Sequence, residues 1–112
     1  QIQMNFFDEN YQAGLKGLKL AGKLGIGVIA MEPLRGGKLA NNVSQDVLNI
    51  YSSTKENHTP AGWALRYLWN YPEVKTILSG MNNFDHILKL VTTQAWPDAN
   101  PESVIHNYIC IC

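Results

Sequence analysis

The residues best placed to do chemistry follow the most apolar segment of the chain, Ile26–Met31. The seven residues after it are Glu32, Pro33, Leu34, Arg35, Gly36, Gly37 and Lys38. Glycines let backbone N–H groups approach a phosphate closely, and arginine or lysine neutralises its charge. The stretch therefore suits an anion-binding loop. A glycine-rich turn with solvated Arg35 and Lys38 side chains is the equally open alternative.

A second turn suited to binding an anion follows the apolar segment Val74–Leu78. It consists of Ser79, Gly80, Met81, Asn82 and Asn83. A strand that passes through Ser-Gly into a helix presents unpaired N–H groups at the positive end of the helix dipole. Such turns are also common as plain connectors, so both interpretations stand.

The histidines and cysteines do not follow a catalytic or metal-binding pattern. His58, His86 and His106 lie far apart in the sequence, and none has a partner at the spacing of a metal site or a nucleophilic dyad. Cys110 and Cys112 are too few for a four-ligand zinc or iron–sulfur site, and one intervening residue strains a disulfide. We therefore assign no metal ligand and no catalytic residue.

Length and composition limit the classes of protein to which this chain can belong. A length of 112 residues favours one domain, and 46% hydrophobic residues is ordinary for a chain that buries a core. Nine basic and nine acidic residues give no electrostatic case for nucleic acid or an anionic membrane surface. The apolar segment 26–31 is too short to cross a bilayer. We expect a soluble, cytoplasmic protein.

Hydrophobic periodicity predicts strands that alternate with helices. The predicted strands span residues 2–6, 26–31 and 74–78. The predicted helices span residues 11–24, 44–52 and 60–71, with another opened by Asn82 or Asn83 and a short one over 102–109. Polar residues 8–10 are expected to cap the first helix, and 26–31 is expected to be covered on both faces. This order predicts an α/β fold of three parallel βα units, either as a small open sheet or as part of a barrel.

These segments, in this order, resemble the C-terminal part of aldo/keto reductases. The likeness is carried by residues 1–5, 25–39, 59–69 and 77–81. It covers residues 1–91 and leaves 92–112 as a divergent tail. The stretch 31–38 looks most like the bacterial and archaeal branch, whose members often add a C-terminal iron–sulfur segment. The resemblance implies a partial (β/α)8 TIM barrel, strands six to eight, from an NAD(P)H-dependent carbonyl or alcohol oxidoreductase.

The resemblance also implies cofactor roles for both turns. Gln1 matches a residue that hydrogen-bonds the nicotinamide carboxamide, and Met31 stands where many members stack an aromatic ring. Residues 32–38 match the loop over the cofactor's pyrophosphate. The loop at the adenosine end is matched by Ser79, Gly80, Met81 and Asn82. Ser79, with Asp85 or His86, replaces the cations of NADP-preferring members, so NADP and NAD both stay open.

Departures from the family pattern define two hypotheses about function. The family's catalytic Tyr, Asp, Lys and His have no counterpart in these 112 residues, so the chain is expected to be an inactive fragment that contributes cofactor-binding loops. Its partners would be the nicotinamide cofactor and a small carbonyl substrate. The alternative is a non-catalytic partial-barrel module for binding or self-association, since three strands cannot close a barrel.

Overall fold

One parallel sheet organises the protein in the computed structural model, which describes residues 1–56, 58–80, 84–85 and 108–110. The four strands lie side by side in chain order as β1 (Ile2–Gln3), β2 (Val28–Met31), β3 (Val74–Ser79) and β4 (Tyr108–Cys110). The helices are α1 (Gly14–Lys23), α2 (Gln45–Ser52) and α3 (Pro60–Trp69). The predicted α/β class with parallel strands is confirmed. Phe84 and Asp85 are also helical, in line with the helix predicted to open at Asn82 or Asn83.

The register of the strands brings their carboxyl ends to one edge of the sheet. Ile2 pairs with Ala30, and Ala30 pairs with Ile77, so the three strands run level. Beyond β1, the Met4 N–H still donates to the Met31 carbonyl at 3.0 Å. The residues that follow β1, β2 and β3 therefore start from the same edge, which is where parallel α/β folds bind their ligands.

The hydrophobic core lies between the sheet and two helices. Its buried residues come from β2, β3, α1, α3 and the end of β1: Met4, Leu18, Val28, Ala30, Leu65, Leu68 and Ile77. In β2 the burial alternates, with Val28 and Ala30 buried and Ile29 and Met31 only half-buried. Among the described residues, α1 and α3 pack on the face that carries Val28 and Ala30, and the expected cover of the second face of β2 stays a prediction.

The first helix is shorter than predicted. It begins at Gly14 rather than Tyr11, because Gln12 has a φ of 53° and a left-handed residue cannot continue an α-helix. The predicted cap at residues 8–10 was also wrong, since the N-cap is Ala13 and the helix has no side-chain cap hydrogen bond. Instead, the Leu15 N–H donates to the Glu9 carbonyl at 2.8 Å. No helix in the described ranges is long and apolar enough to cross a membrane.

Two further sequence predictions need correction. The first strand ends at Gln3 instead of Phe6, because the chain turns around Asn5. The helix predicted over 102–109 was wrong at its end, where Tyr108–Cys110 forms β4 beside β3. A three-residue strand gains its hydrogen bonds from a neighbouring strand, so its own sequence carries little periodicity. The rest of that predicted helix lies outside the described residues.

The start of α3 follows the sequence prediction and offers a clean test. The Thr59 hydroxyl accepts a hydrogen bond from the Gly62 N–H at 3.1 Å, and Pro60 occupies the first turn. Replacing Thr59 by alanine should lower the free energy of unfolding by about 1 kcal/mol, because one helix N–H loses its acceptor. Urea denaturation measures the change.

Ser44→Ala is the matched control for this prediction. Ser44 is the N-cap of α2 but makes no side-chain cap hydrogen bond. Its replacement should therefore change stability by less than half as much as the Thr59 substitution. Equal losses for the two variants would show that the Thr59 hydroxyl contributes nothing specific.

Candidate functional site

A buried asparagine builds the site at the carboxyl edge of the sheet. The Asn5 side chain is fully buried, and its amide oxygen accepts from the N–H groups of Phe7 and Asp8 at 3.0 and 2.9 Å. Its amide nitrogen donates to the Glu32 carbonyl at 3.1 Å and to the Asp8 carboxylate at 3.2 Å. One side chain thus joins the turn after β1 to the first residue after β2.

The loop after β2 has an unusual backbone. Glu32, Arg35, Gly36 and Gly37 all have left-handed conformations, with φ between 51° and 83°. Glycine adopts this conformation freely, whereas in residues with a Cβ it is uncommon and costs energy. Consecutive N–H groups in such turns form concavities that bind anions. The Gly37 N–H makes no hydrogen bond to any described residue.

A carboxylate of the same loop already occupies one of these donors. The Glu32 side chain accepts a hydrogen bond from the Gly36 N–H at 2.7 Å, although Glu32 itself is exposed. A charge-assisted bond of this kind is stronger than a neutral one. The Gly36 N–H is therefore suited to a negatively charged acceptor, and in this conformation the Glu32 carboxylate is that acceptor.

The cations of the loop differ in their surroundings. The Arg35 Nε lies 3.2 Å from an Asp8 carboxylate oxygen, and the guanidinium lies 4.7 Å from the Phe7 ring centroid. Asp8 is only 14% exposed, so this ion pair holds the loop against the turn after β1. Lys38 is exposed and pairs with no acidic group in the described residues. It is the cation with most freedom to meet an outside anion.

The apolar residues of the loop anchor it to the core. Pro33 is buried, and Leu34 packs against the core cluster. Gly36 and Lys38 are exposed. The anchored half therefore positions the glycines and the cations at the surface.

Gln1 and Met31, which the resemblance placed at the nicotinamide, lie together. The Gln1 side-chain amide contacts the Met31 sulfur, and Met31 pairs with Gln3 across β1 and β2. Gln1 is exposed and Met31 half-buried. The two side chains lie beside the first residue of the glycine-rich loop.

The second predicted turn starts from the same edge. Since Ala30 pairs with Ile77, the end of β3 at Ser79 is level with Glu32. Ser79 is half-buried and Gly80 is exposed. Asp85 is exposed as well, while Met81, Asn82 and His86 lie outside the described residues.

Two tyrosines support the turn after β1: Tyr67 lies in α3, and Tyr71 follows the end of that helix. The Tyr67 hydroxyl donates to the Glu9 carboxylate, and the Tyr71 hydroxyl donates to Tyr67 at 3.3 Å. Burial, and then the hydrogen bond to Glu9, raise the pKa of Tyr67 well above its ordinary value. The edge of the Phe6 ring packs against Tyr67. This network fixes residues 6–9, which in turn hold Arg35.

A second cluster of polar and aromatic groups joins α2 to α3. Glu56 forms an ion pair with Arg66 at 2.8 Å and a hydrogen bond with the His58 Nε2 at 3.0 Å. The Trp63 ring stacks on Tyr51 and meets the edge of His58. His58 is half-buried. These contacts explain why two helices pack together, and they bring no further chemistry to the sheet edge.

Sequence reasoning missed two of the residues that build the site. Residue 5 was predicted to lie within the first strand and Asp8 to belong to a helix cap, yet both residues hold the loop after β2. The available signal was position: Asn5 follows β1 as Glu32 follows β2, so topology places them together.

The fold and the site define a class of protein: a parallel α/β protein with a glycine-rich, anion-suited loop at the carboxyl edge of its sheet. Comparison with known protein families, with curated proteins and with solved structures finds no match to this chain. What the protein does must therefore be argued from the loop itself.

Proposed function

We propose that this chain supplies the cofactor-binding side of an NAD(P)H-dependent aldo/keto reductase barrel, with residues 32–38 over the cofactor's pyrophosphate. The observation that carries the proposal is the left-handed backbone of Arg35, Gly36 and Gly37 at the carboxyl edge of a parallel sheet. Helices α1 and α3 packed on one sheet face are compatible with an arc of a (β/α)8 barrel. The sequence resemblance supplies the identity of the nucleotide.

The residues present fit a dinucleotide. The Gly36 and Gly37 N–H groups and the side chains of Arg35 and Lys38 offer donors and positive charge to the pyrophosphate. A Cβ built on Gly36 would meet no atom within 4 Å, so the surface above it is open. Gln1 would hold the carboxamide, and Met31 would pack on the nicotinamide. When bound, the nicotinamide supplies the hydride.

Carbonyl reduction also needs a general acid, and we assign that role to no residue of this chain. The proposal includes a small carbonyl compound as the substrate and the cytoplasm as the location of the protein. At the adenosine end, Ser79 and Gly80 are the described residues of the second turn, and Asp85 brings no positive charge. Both NADPH and NADH are therefore to be tested.

Titration of the chain with NADPH and NADH by calorimetry tests the proposal. We expect saturable binding, weakened about tenfold in Lys38→Gln and in Arg35→Gln, because each loses a charged donor to phosphate. Lys23→Gln is the matched control. Lys23 is an exposed lysine in the last turn of α1, at the opposite edge of the sheet.

The control separates a local site from general attraction of an anion. Lys23→Gln should leave the dissociation constant for the nucleotide within about twofold of the parent value. An exposed charge at the opposite edge of the sheet is screened by salt. Equal weakening in all three variants would contradict a site at residues 32–38. Absence of nucleotide binding would remove the proposal altogether.

The alternative is a non-catalytic module for binding or self-association. The observation in its favour is the second face of the sheet, where Ile29, Met31, Thr76 and Leu78 are half-buried and do not belong to the described core cluster. β1 also has a free edge within the described sheet. A parallel sheet with an uncovered face and edge pairs readily with another chain. Failure of nucleotide binding together with concentration-dependent association would favour this function.

A further inference from the structure

The glycine-rich loop carries its own anion. The carboxylate of Glu32 receives the Gly36 N–H at 2.7 Å, at the donor that the proposed function assigns to a phosphate oxygen. Arg35, the adjacent cation, is held by Asp8 at 3.2 Å. Two donors of the anion site, the Gly36 N–H and the Arg35 guanidinium, are thus satisfied by carboxylates of the chain.

We propose that Glu32 is an internal competitor that occupies the phosphate position and must swing out before a phosphate or pyrophosphate group binds. The inference rests on the proposed function, because it assigns regulation to the same loop. A carboxylate and a phosphate oxygen make the same charge-assisted hydrogen bond to a backbone N–H. They cannot share one donor, and their like charges repel.

The geometry allows the exchange without unfolding the loop. Glu32 is exposed, so its side chain can rotate into water without leaving a cavity. Its backbone is fixed separately, by the hydrogen bond from Asn5 to the Glu32 carbonyl at 3.1 Å and by the Arg35 N–H to the same carbonyl at 3.1 Å. The loop therefore keeps its left-handed conformation when the carboxylate leaves. The Gly37 N–H, which has no acceptor among the described residues, gives the incoming anion a second donor.

The test compares the affinity of inorganic pyrophosphate and of NADPH for the parent chain and for Glu32→Gln, by calorimetry at fixed salt. The glutamine is isosteric and uncharged, so it competes weakly for the Gly36 N–H. We expect Glu32→Gln to bind pyrophosphate about tenfold more tightly, which is the ratio that corresponds to losing one charged hydrogen bond. Glu32→Gly, which suits the φ of 54°, should also bind more tightly.

Asp46→Asn is the control for net charge. Asp46 is an exposed carboxylate in the first turn of α2, and its loss changes the charge of the chain by the same amount. It should shift pyrophosphate affinity by less than twofold. A tenfold gain in this variant as well would reduce the Glu32 effect to general electrostatics and overturn the proposal.

The Gly36 amide proton gives an independent readout in the ligand-free chain. Its NMR shift should move upfield in Glu32→Gln, and pyrophosphate should move it back downfield. Equal pyrophosphate affinity in the parent and Glu32→Gln overturns the competition while leaving the phosphate site intact. Weaker binding in Glu32→Gln, with shift changes throughout residues 33–38, would make Glu32 a brace of the loop and also overturn it. No binding by any variant removes both the competition and the proposed function.

Discussion

Asn5→Ala is expected to lower the free energy of unfolding by about 2–4 kcal/mol, because it removes a fully buried side chain and leaves several backbone groups without their partner at once. The groups are the N–H of Phe7, the N–H of Asp8 and one acceptor site of the Glu32 carbonyl. An alanine cannot replace any of these bonds, and the Asn5 side chain that makes them is fully buried. Chemical denaturation monitored by tryptophan fluorescence measures the change.

Asn5→Ala should also affect the nucleotide binding that we propose for the loop after β2. Asn5 is the described side chain that bonds directly from the turn after β1 to the backbone of Glu32. Without it, Asp8 loses its support and the Arg35 pair loosens, so the loop spends less time in the left-handed conformation. We expect nucleotide binding to weaken along with stability.

Asn10→Ala is the matched control for Asn5→Ala. Asn10 lies in the same turn, is exposed and makes no side-chain hydrogen bond to the described residues. Its replacement should change stability by less than about 0.5 kcal/mol, as surface substitutions usually do. A loss below 1 kcal/mol for Asn5→Ala would show that water satisfies the groups that Asn5 now bonds.

The parts of the fold that depend on local chemistry were visible in the sequence. Thr59-Pro60 predicts a helix start because the cap and the ring act within four residues, and the structure confirms it. The apolar segment before Glu32 predicts a buried strand, and β2 lies there although it begins at Val28. Both signals need no knowledge of distant residues.

The candidate site depends on contacts between distant segments, which a single sequence does not encode locally. Asn5 and Glu32 are separated by 27 positions, as are Asp8 and Arg35. The pattern that predicts a strand over residues 2–6 gives no indication of a turn at Asn5. The side chain is buried because the chain leaves the sheet there and turns back on it.

The strand β4 likewise depends on a contact with a distant segment that its own sequence does not indicate. Tyr108–Cys110 is a strand because β3 has a free edge beside it, with Ile77 paired to Tyr108. Nothing within three residues distinguishes a strand of this kind from a turn of helix. Tertiary context, which propensity cannot supply, decides the conformation.

Leu18→Ala is expected to lower the free energy of unfolding by about 2–5 kcal/mol, because it removes a fully buried side chain from the centre of the core. Leu18 packs among Met4, Val28, Leu65 and Leu68, where it links α1 to the sheet and to α3. The helix itself carries Gly17 and Gly22, which weaken it by about 1 kcal/mol each relative to alanine. α1 therefore depends on this contact more than on its own propensity. Urea denaturation measures the loss.

Leu20→Ala isolates burial from helix propensity, because it makes the same substitution two residues along α1 at a side chain that is 57% exposed. Both substitutions change the helix propensity by the same amount. The difference between the two variants in the free energy of unfolding therefore measures the contribution of core packing alone. We expect Leu20→Ala to stay within about 0.5 kcal/mol of the parent. Leu18→Met, which conserves volume, should lose less than about 1.5 kcal/mol and gives a measurable value even if the alanine variant does not fold. Equal losses at positions 18 and 20 would contradict the packing of α1 on the sheet face that carries Val28 and Ala30, and with it the placement of the turn that holds Arg35.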